Sequence, residues 1–215
     1  MAISIILLIL TAYLLGSASS AILLCRLYYG EDIRNNGSGN PGATNVQRTY
    51  GWKMGVVVFF IDAMKGVAAV EMARLSTLTP GTEAFIALQS GLGLSTMLGH
   101  IFPIFFNFKG GKGVAVLCGI LAAMQPWTML VCFAVFLATL AVCRYMSLSV
   151  LIAILAYPFI LRTDSIILRL FSIIAVVIIW LSHLSNIKRI LRHNESKFII
   201  KKAVRPEKSN CPHES

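Results

Sequence analysis

Acidic residues are scarce in this chain: Asp and Glu together number nine in 215 residues. No H-x-x-E arrangement occurs, so a carboxylate-ligated metal site has no material to be built from. The five cysteines, Cys25, Cys118, Cys132, Cys143 and Cys211, show no CxxC spacing and mostly sit inside apolar runs. They read as small buried hydrophobes rather than as disulfide or zinc partners. Charge of either sign is also thin, at 13% of residues, which is too little for the surface of a soluble domain.

Apolar sequence fills the space. Hydrophobic residues make up 57% of the chain, and the mean hydropathy is +0.77, as expected of an integral membrane protein. Apolar segments fall at about 3–25, 54–73, 84–106, 113–124, 127–143, 147–161 and 165–182. The first, through "YLLGSASSAILLC", runs on without a clear cleavage site and is expected to be retained as a helix. The predicted fold is therefore all-α, with about seven transmembrane helices. The separators after 124 and 143 are only "QP" and "CRYMS", so a five-span reading of the same chain competes.

The net charge of +10 raises nucleic acid as a partner, but the distribution of basic residues argues for orientation instead. With seven spans, sixteen of the nineteen Lys and Arg fall on one side, leaving Arg74, Arg162 and Arg169 on the other. That bias predicts an N-terminus outside and a cytoplasmic C-terminus, with no nucleic-acid role. Residues 1–190 are expected to form one multi-span domain, and 191–215 a basic and polar cytoplasmic tail attracted to anionic lipid headgroups.

Three polar motifs then share the cytoplasmic side. "GSGNPGATN", Gly37 to Asn45, satisfies G-x-G-x-x-G and most of a Walker loop, but Ala43 stands where that loop needs lysine and no βαβ context exists. What remains is a glycine-rich run whose N–H groups suit an anion, with Ser38, Asn40, Thr44 and Asn45 as neutral donors around Gly39 and Gly42, and Arg48 beyond. "GHIFPIFFNFKGGKGVA", Gly99 to Ala115, sets Lys109, Gly110, Gly111 and Lys112 before a helix that Pro126 ends after about 12 residues, or about 18 Å. A half-length helix starting at a cationic glycine turn points its positive end at a phosphate. "HLSNIKRI" places His183 and Asn186 three apart on one helical face, able to bind or deprotonate a hydroxyl. Asp62 and Lys65 read as a structural ion pair, and Arg144 and Ser147 mark a short turn. Arg34 and Arg189 complete the cationic inventory, which suits one or two phosphates and leaves a covalent nucleophile without an obvious base.

"SGNPGATNVQR", "GHIFPIFFNFKGGKGVA" and "HLSNIKRI" closely resemble the three motifs of the bacterial glycerol-3-phosphate acyltransferases that use acyl phosphate, the PlsY family; the likeness runs from "YLLGSASSA" to about residue 197. The resemblance implies an inner-membrane enzyme with a cytoplasmic active site. It would transfer a fatty acyl group from acyl phosphate to the sn-1 hydroxyl of glycerol 3-phosphate, needing no metal or cofactor and meeting membrane lipids. It also implies roles for Ser38, Thr44, Asn45 and Arg48, for Lys112 with its glycines, for Ser147, and for His183 and Asn186. Two positions depart from the family's habit: Val116 where many relatives have Thr, and His193 where Gly is common, which bears on how the last helix ends. A transporter of an organic phosphate or anionic lipid is the alternative that a broken helix and a cationic nest would also fit.

Overall fold

The computed structural model describes residues 2–198, so the far part of the predicted tail, with Cys211, lies outside the described residues. Ten α-helices follow one another there, with no strand among the described residues. An apolar first segment forms α1 (Ala2–Ser17) and α2 (Ser20–Tyr29), interrupted at the serine-rich "SASS". Polar sequence then leads through α3 (Ala43–Tyr50) into α4 (Trp52–Glu71). The chain continues with α5 (Glu83–Ile101), α6 (Val114–Met124), α7 (Pro126–Cys143), α8 (Met146–Ile160), α9 (Ile166–Ser182) and α10 (Leu184–Leu191).

The region 113–161 is three helices, α6, α7 and α8, and not one continuous segment. Two local devices make the breaks. Pro126 opens α7, where its missing N–H costs nothing, and Arg144 takes a left-handed conformation (φ 57°) between α7 and α8. Three stretches, Ile3–Tyr29, Glu83–Phe106 and Pro126–Cys143, are long and apolar enough to cross a membrane; α9 and α10 meet the same test only when the bent pair is counted together. α6 and α8 are apolar but shorter.

Small residues set the helix packing. Gly16 and Gly99 let α1 lie directly on α5, where a β-carbon would overlap the backbone at Thr96 or Tyr13. Gly66 and Gly119 do the same for α4 against α6, at Val116 and Ala63. Between apolar helices in lipid, such close backbone approach supplies the dispersion energy that the hydrophobic effect does not. Val116, where relatives often carry Thr, is fully buried in this contact. The main core gathers Val70, Met97, Ile120, Tyr157, Phe171 and Ile179 from α4, α5, α6, α8 and α9. By contrast, Ile3, Leu7, Leu130 and Leu137 of α1 and α7 point outward, as residues facing lipid do.

Candidate active site

The three motifs converge. Ser38, Asn40, Gly42, Thr44, Asn45 and Arg48 share one cavity with Lys112, Ser147, His183, Asn186 and Arg189. Its volume is about 520 Å³. The cationic mouth continues into an apolar groove walled by Val56, Phe59 and Phe60 of α4, Leu117 and Leu121 of α6, Phe133 and Phe136 of α7, and Ile154 of α8. Shape and polarity together suit a ligand with an anionic head and a hydrocarbon tail.

The first motif is organised by Asn45. Its Oδ1 accepts the Ser38 N–H at 2.9 Å, and its Nδ2 donates to the carbonyls of Asn36 (2.9 Å) and Ile33 (3.3 Å). Gly37 and Gly39 adopt positive φ (61° and 72°), and the N–H groups of Gly39 and Gly42 bond to Asn36 and Asn40 carbonyls. Asn45 therefore shapes the loop rather than offering a free amide, and the expected glycine nest spends its N–H groups internally. The first turn of α3 carries no side-chain cap, and Arg48 lies about one turn farther on. Burial lowers the Arg48 pKa from its ordinary value, and its Nη2 donates to the Ser196 carbonyl at 3.1 Å. Arg34 is consumed elsewhere: it grips Asp32 at 2.8 Å and donates to the Phe106 carbonyl at 2.9 Å, so it tethers two loops instead of facing substrate.

The second motif folds back on itself. After α5, Asn107 and Phe108 turn the chain with φ of 57° each, and Gly110 and Gly111 donate to the carbonyls of Ile101 (3.1 Å) and His100 (3.0 Å). Their N–H groups are thus not presented to a phosphate; the glycines allow the turn to lie flat on the end of α5. Lys109 is exposed and lines a second cavity with Phe102, Phe108 and Leu181, which adjoins the main one and shares Ser38, Asn40, Lys112 and Arg189 with it. Lys112 alone of the two lysines reaches the main cavity. Its ammonium donates to Asn186 Oδ1. Desolvation, helped by Arg189, pushes its pKa down to about 8, although Glu195 acts the other way.

The third motif is not one continuous helix. α9 and α10 meet at His183 with a bend of 59°, and the i, i+3 relation survives because Asn186 N–H donates to the His183 carbonyl at 2.9 Å. Nδ1 of His183 lies 2.8 Å from the Ile179 carbonyl, an oxygen that only accepts. That partner selects the tautomer protonated at Nδ1 and leaves Nε2 as an acceptor. Burial first, then the Lys112 charge, push the imidazole pKa down to about 4, so the ring is neutral near pH 7.

Glu195 was not singled out from sequence, yet it is the residue around which the site is tied. It lies 7% exposed and accepts from Ser147 Oγ (2.8 Å), Asn186 Nδ2 (2.9 Å) and Arg189 Nε (2.7 Å). Burial raises its pKa, but those three donors outweigh it and hold the carboxyl below its ordinary value. The available signal was its isolation: Glu195 is the one carboxylate between Asp164 and Glu207, inside a basic run. The segment around it also packs onto the site, with Phe198 N–H donating to the Arg144 carbonyl at 2.6 Å, so residues 192–198 belong to the folded unit and not to a free tail. Among the described residues no group of three or more His, Cys, Asp or Glu is placed to hold a metal ion.

In sequence and fold the chain is similar to known proteins. A family profile described as glycerol-3-phosphate acyltransferase matches residues 6–193. A glycerol-3-phosphate acyltransferase from Shewanella woodyi is 42% identical over 196 residues, covering 90% of this chain and 93% of its own. One from Trichlorobacter lovleyi is 40% identical over 190 residues, covering 87% and 94%. Among solved structures, the integral membrane glycerol 3-phosphate acyltransferase PlsY (YgiH) in its glycerol 3-phosphate form superposes with a TM-score of 0.84 at 37% identity, over 91% of this chain and 96% of that one. Its lysophosphatidic acid form gives 0.81 at 35% identity, over 92% and 96%.

Proposed function

The chain belongs to the glycerol-3-phosphate acyltransferase family, and on that premise we propose that it moves a fatty acyl group from acyl phosphate to the sn-1 hydroxyl of glycerol 3-phosphate. The products are lysophosphatidic acid and inorganic phosphate, and the reaction takes place at the cytoplasmic face of the bacterial inner membrane, within a seven-span bundle whose N-terminus is outside. With that family membership the transporter alternative loses its ground.

The observation that carries the reading is the junction of Arg48, Lys112 and Arg189 with the mouth of the apolar groove. An acyl phosphate has a phosphate that needs cations and a chain that needs an apolar channel. Its mixed anhydride already has a good leaving group, so positioning and charge neutralisation accomplish most of the catalysis. The donor phosphate is assigned to Thr44 and Arg48 at the start of α3, with Ser38 and Asn40 beside it. The acceptor phosphate is assigned to Lys112 and Arg189. The acceptor hydroxyl is held beside Nε2 of His183 and turns its single proton toward the departing phosphate; its oxygen adds to the acyl carbonyl carbon, and the bond from that carbon to the phosphate oxygen breaks. The proton passes to the departing phosphate, because an imidazole whose pKa is pushed down to about 4 is a poor base for it. Asn186, Ser147 and Glu195 hold the cations in register.

The test is an assay of the purified protein with acyl phosphate and glycerol 3-phosphate, scored for phosphate release and lysophosphatidic acid, with acyl-CoA as contrast. Both products should appear in equal amounts with acyl phosphate and neither with acyl-CoA. Turnover of acyl-CoA at a comparable rate would overturn the donor assignment.

A further inference from the structure

A buried polar chain runs from the wall of the main cavity, which Asp62 and His100 help to line, to the back of the glycine turn, and the reaction described above makes no use of it. Asp62 and Lys65 form an ion pair at 2.7 Å within α4, 1% and 8% exposed respectively. Asp62 Oδ1 also accepts from Ser20 Oγ at 2.7 Å, at the start of α2, and Lys65 donates to the Ala18 carbonyl in the α1–α2 break. The next member is His100 in the last turn of α5, 6% exposed, with Nδ1 3.8 Å from the same Asp62 oxygen. The charges of the pair cancel each other, and ionisable groups at such depth are costly to keep unless they have work to do.

The opposite edge of the His100 ring meets the glycine turn. A β-carbon on Gly111 would overlap Nε2, and the three atoms nearest to it would all belong to this imidazole. The Gly111 N–H donates to the carbonyl of His100 itself at 3.0 Å, and a β-carbon on Gly110 would overlap that carbonyl. One residue thus holds the turn by its backbone and limits it by its ring, and Lys112 follows directly. Gly66 packs against Val116 in the first turn of α6, so the Asp62–Lys65 pair stands beside the helix that Lys112 precedes.

We propose that His100 is a positioning residue: its imidazole, wedged between the Asp62–Lys65 pair and Gly111, fixes the path of the Gly110–Gly111 turn and thereby places the Lys112 ammonium in the site. The inference rests on the reading that Lys112 receives a substrate phosphate. A packing histidine with no such role would be replaceable by any side chain that fills its volume. A positioning histidine is coupled to Gly111 in particular, because ring and methyl compete for one space.

The experiment compares His100→Ala, Gly111→Ala and the double variant in the full-length membrane protein, with KM and kcat for both substrates and the thermal midpoint in detergent. Gly111→Ala should raise the KM for glycerol 3-phosphate at least tenfold with kcat within threefold. His100→Ala should raise it about fivefold. In the double variant the missing ring makes room for the methyl, so its KM should equal that of His100→Ala within twofold. Should His100→Ala not yield folded protein, His100→Asn carries the same comparison. A double variant whose loss is the product of the two single losses, or a His100→Ala enzyme with unchanged KM, overturns the proposal. If the single variants raise the KM for acyl phosphate instead, and the double variant still suppresses the defect, the phosphate assignment fails while the role of His100 stands.

Discussion

Asn186 Nδ2 donates to Glu195 Oε1 at 2.9 Å, and the same amide turns Oδ1 toward the Lys112 ammonium. Because a carboxylate occupies one side of the amide, the amide oxygen is the end left for the cation. Replacing Glu195 by Gln keeps its size but sets an NH2 group against at least one of the three donors, two of which are buried. Leaving such a donor unmatched costs on the order of 1–3 kcal/mol. Glu195→Gln is therefore expected to lower the thermal midpoint in detergent and to reduce kcat/KM at least tenfold, whereas Ser147→Ala, which removes only one donor, should cost less. A Glu195→Gln protein that melts and turns over like the parent would remove the carboxylate from this role.

In the proposed reaction Lys112 binds phosphate only while protonated, and its pKa is pushed down to about 8 by burial and by Arg189. The ammonium is present below that value and lost above it, so kcat/KM for glycerol 3-phosphate should fall as pH rises through about 8. The limb belongs to the free enzyme, since bound phosphate stabilises the charged form. An arginine in this place stays charged to pH values above roughly 12. Lys112→Arg should consequently flatten the limb, even if its longer fork lowers the absolute rate. A limb that stays near pH 8 in Lys112→Arg points to another group.

The helical segments were legible because they depend on composition. Apolar runs bounded by proline, serine or charge produced the helices, and the breaks at Pro126 and Arg144 fall within the short separators of the sequence. The partners of individual polar atoms were not legible, because they depend on residues far away in the chain. Gly110 and Gly111 are expected at a phosphate because they separate two lysines, yet carbonyls at the end of α5 take both N–H groups, and Arg34, one of the cations expected there, is held by Asp32 and Phe106. Glu195 was hidden in a basic tail because the bend at His183, which returns residues 192–198 to the site, leaves no periodic trace.

His183 is neutral over the working range, with its pKa pushed down to about 4, chiefly by burial. The folded state therefore binds a proton less readily than the unfolded chain, whose imidazole titrates near 6.5. This contribution to stability is complete above pH 6.5 and is lost as pH falls toward 4. His183→Gln should unfold less steeply on acidification over that window. A true general base contributes on the order of 100-fold or more. We expect a smaller loss of kcat in His183→Gln, with the pH profile between 5.5 and 7.5 unmoved. A loss beyond 100-fold together with disappearance of an acidic limb would make the histidine the proton acceptor.

His193 ends α10 in the left-handed conformation, φ 57°, with its N–H donating to the Ile190 carbonyl at 3.0 Å and the next N–H donating to Arg189. A side chain in that region costs roughly 1–2 kcal/mol through its β-carbon. Glycine avoids the clash but loses roughly 0.5–1 kcal/mol more backbone entropy on folding. The balance favours His193→Gly by about 0.5–1 kcal/mol. The substitution should raise the thermal midpoint and leave kcat/KM for both substrates within twofold, because the turn that carries Glu195 keeps its path. A lower midpoint would mean that the imidazole makes a stabilising contact worth more than the strain it imposes, and a changed kcat/KM would place the ring in the site itself.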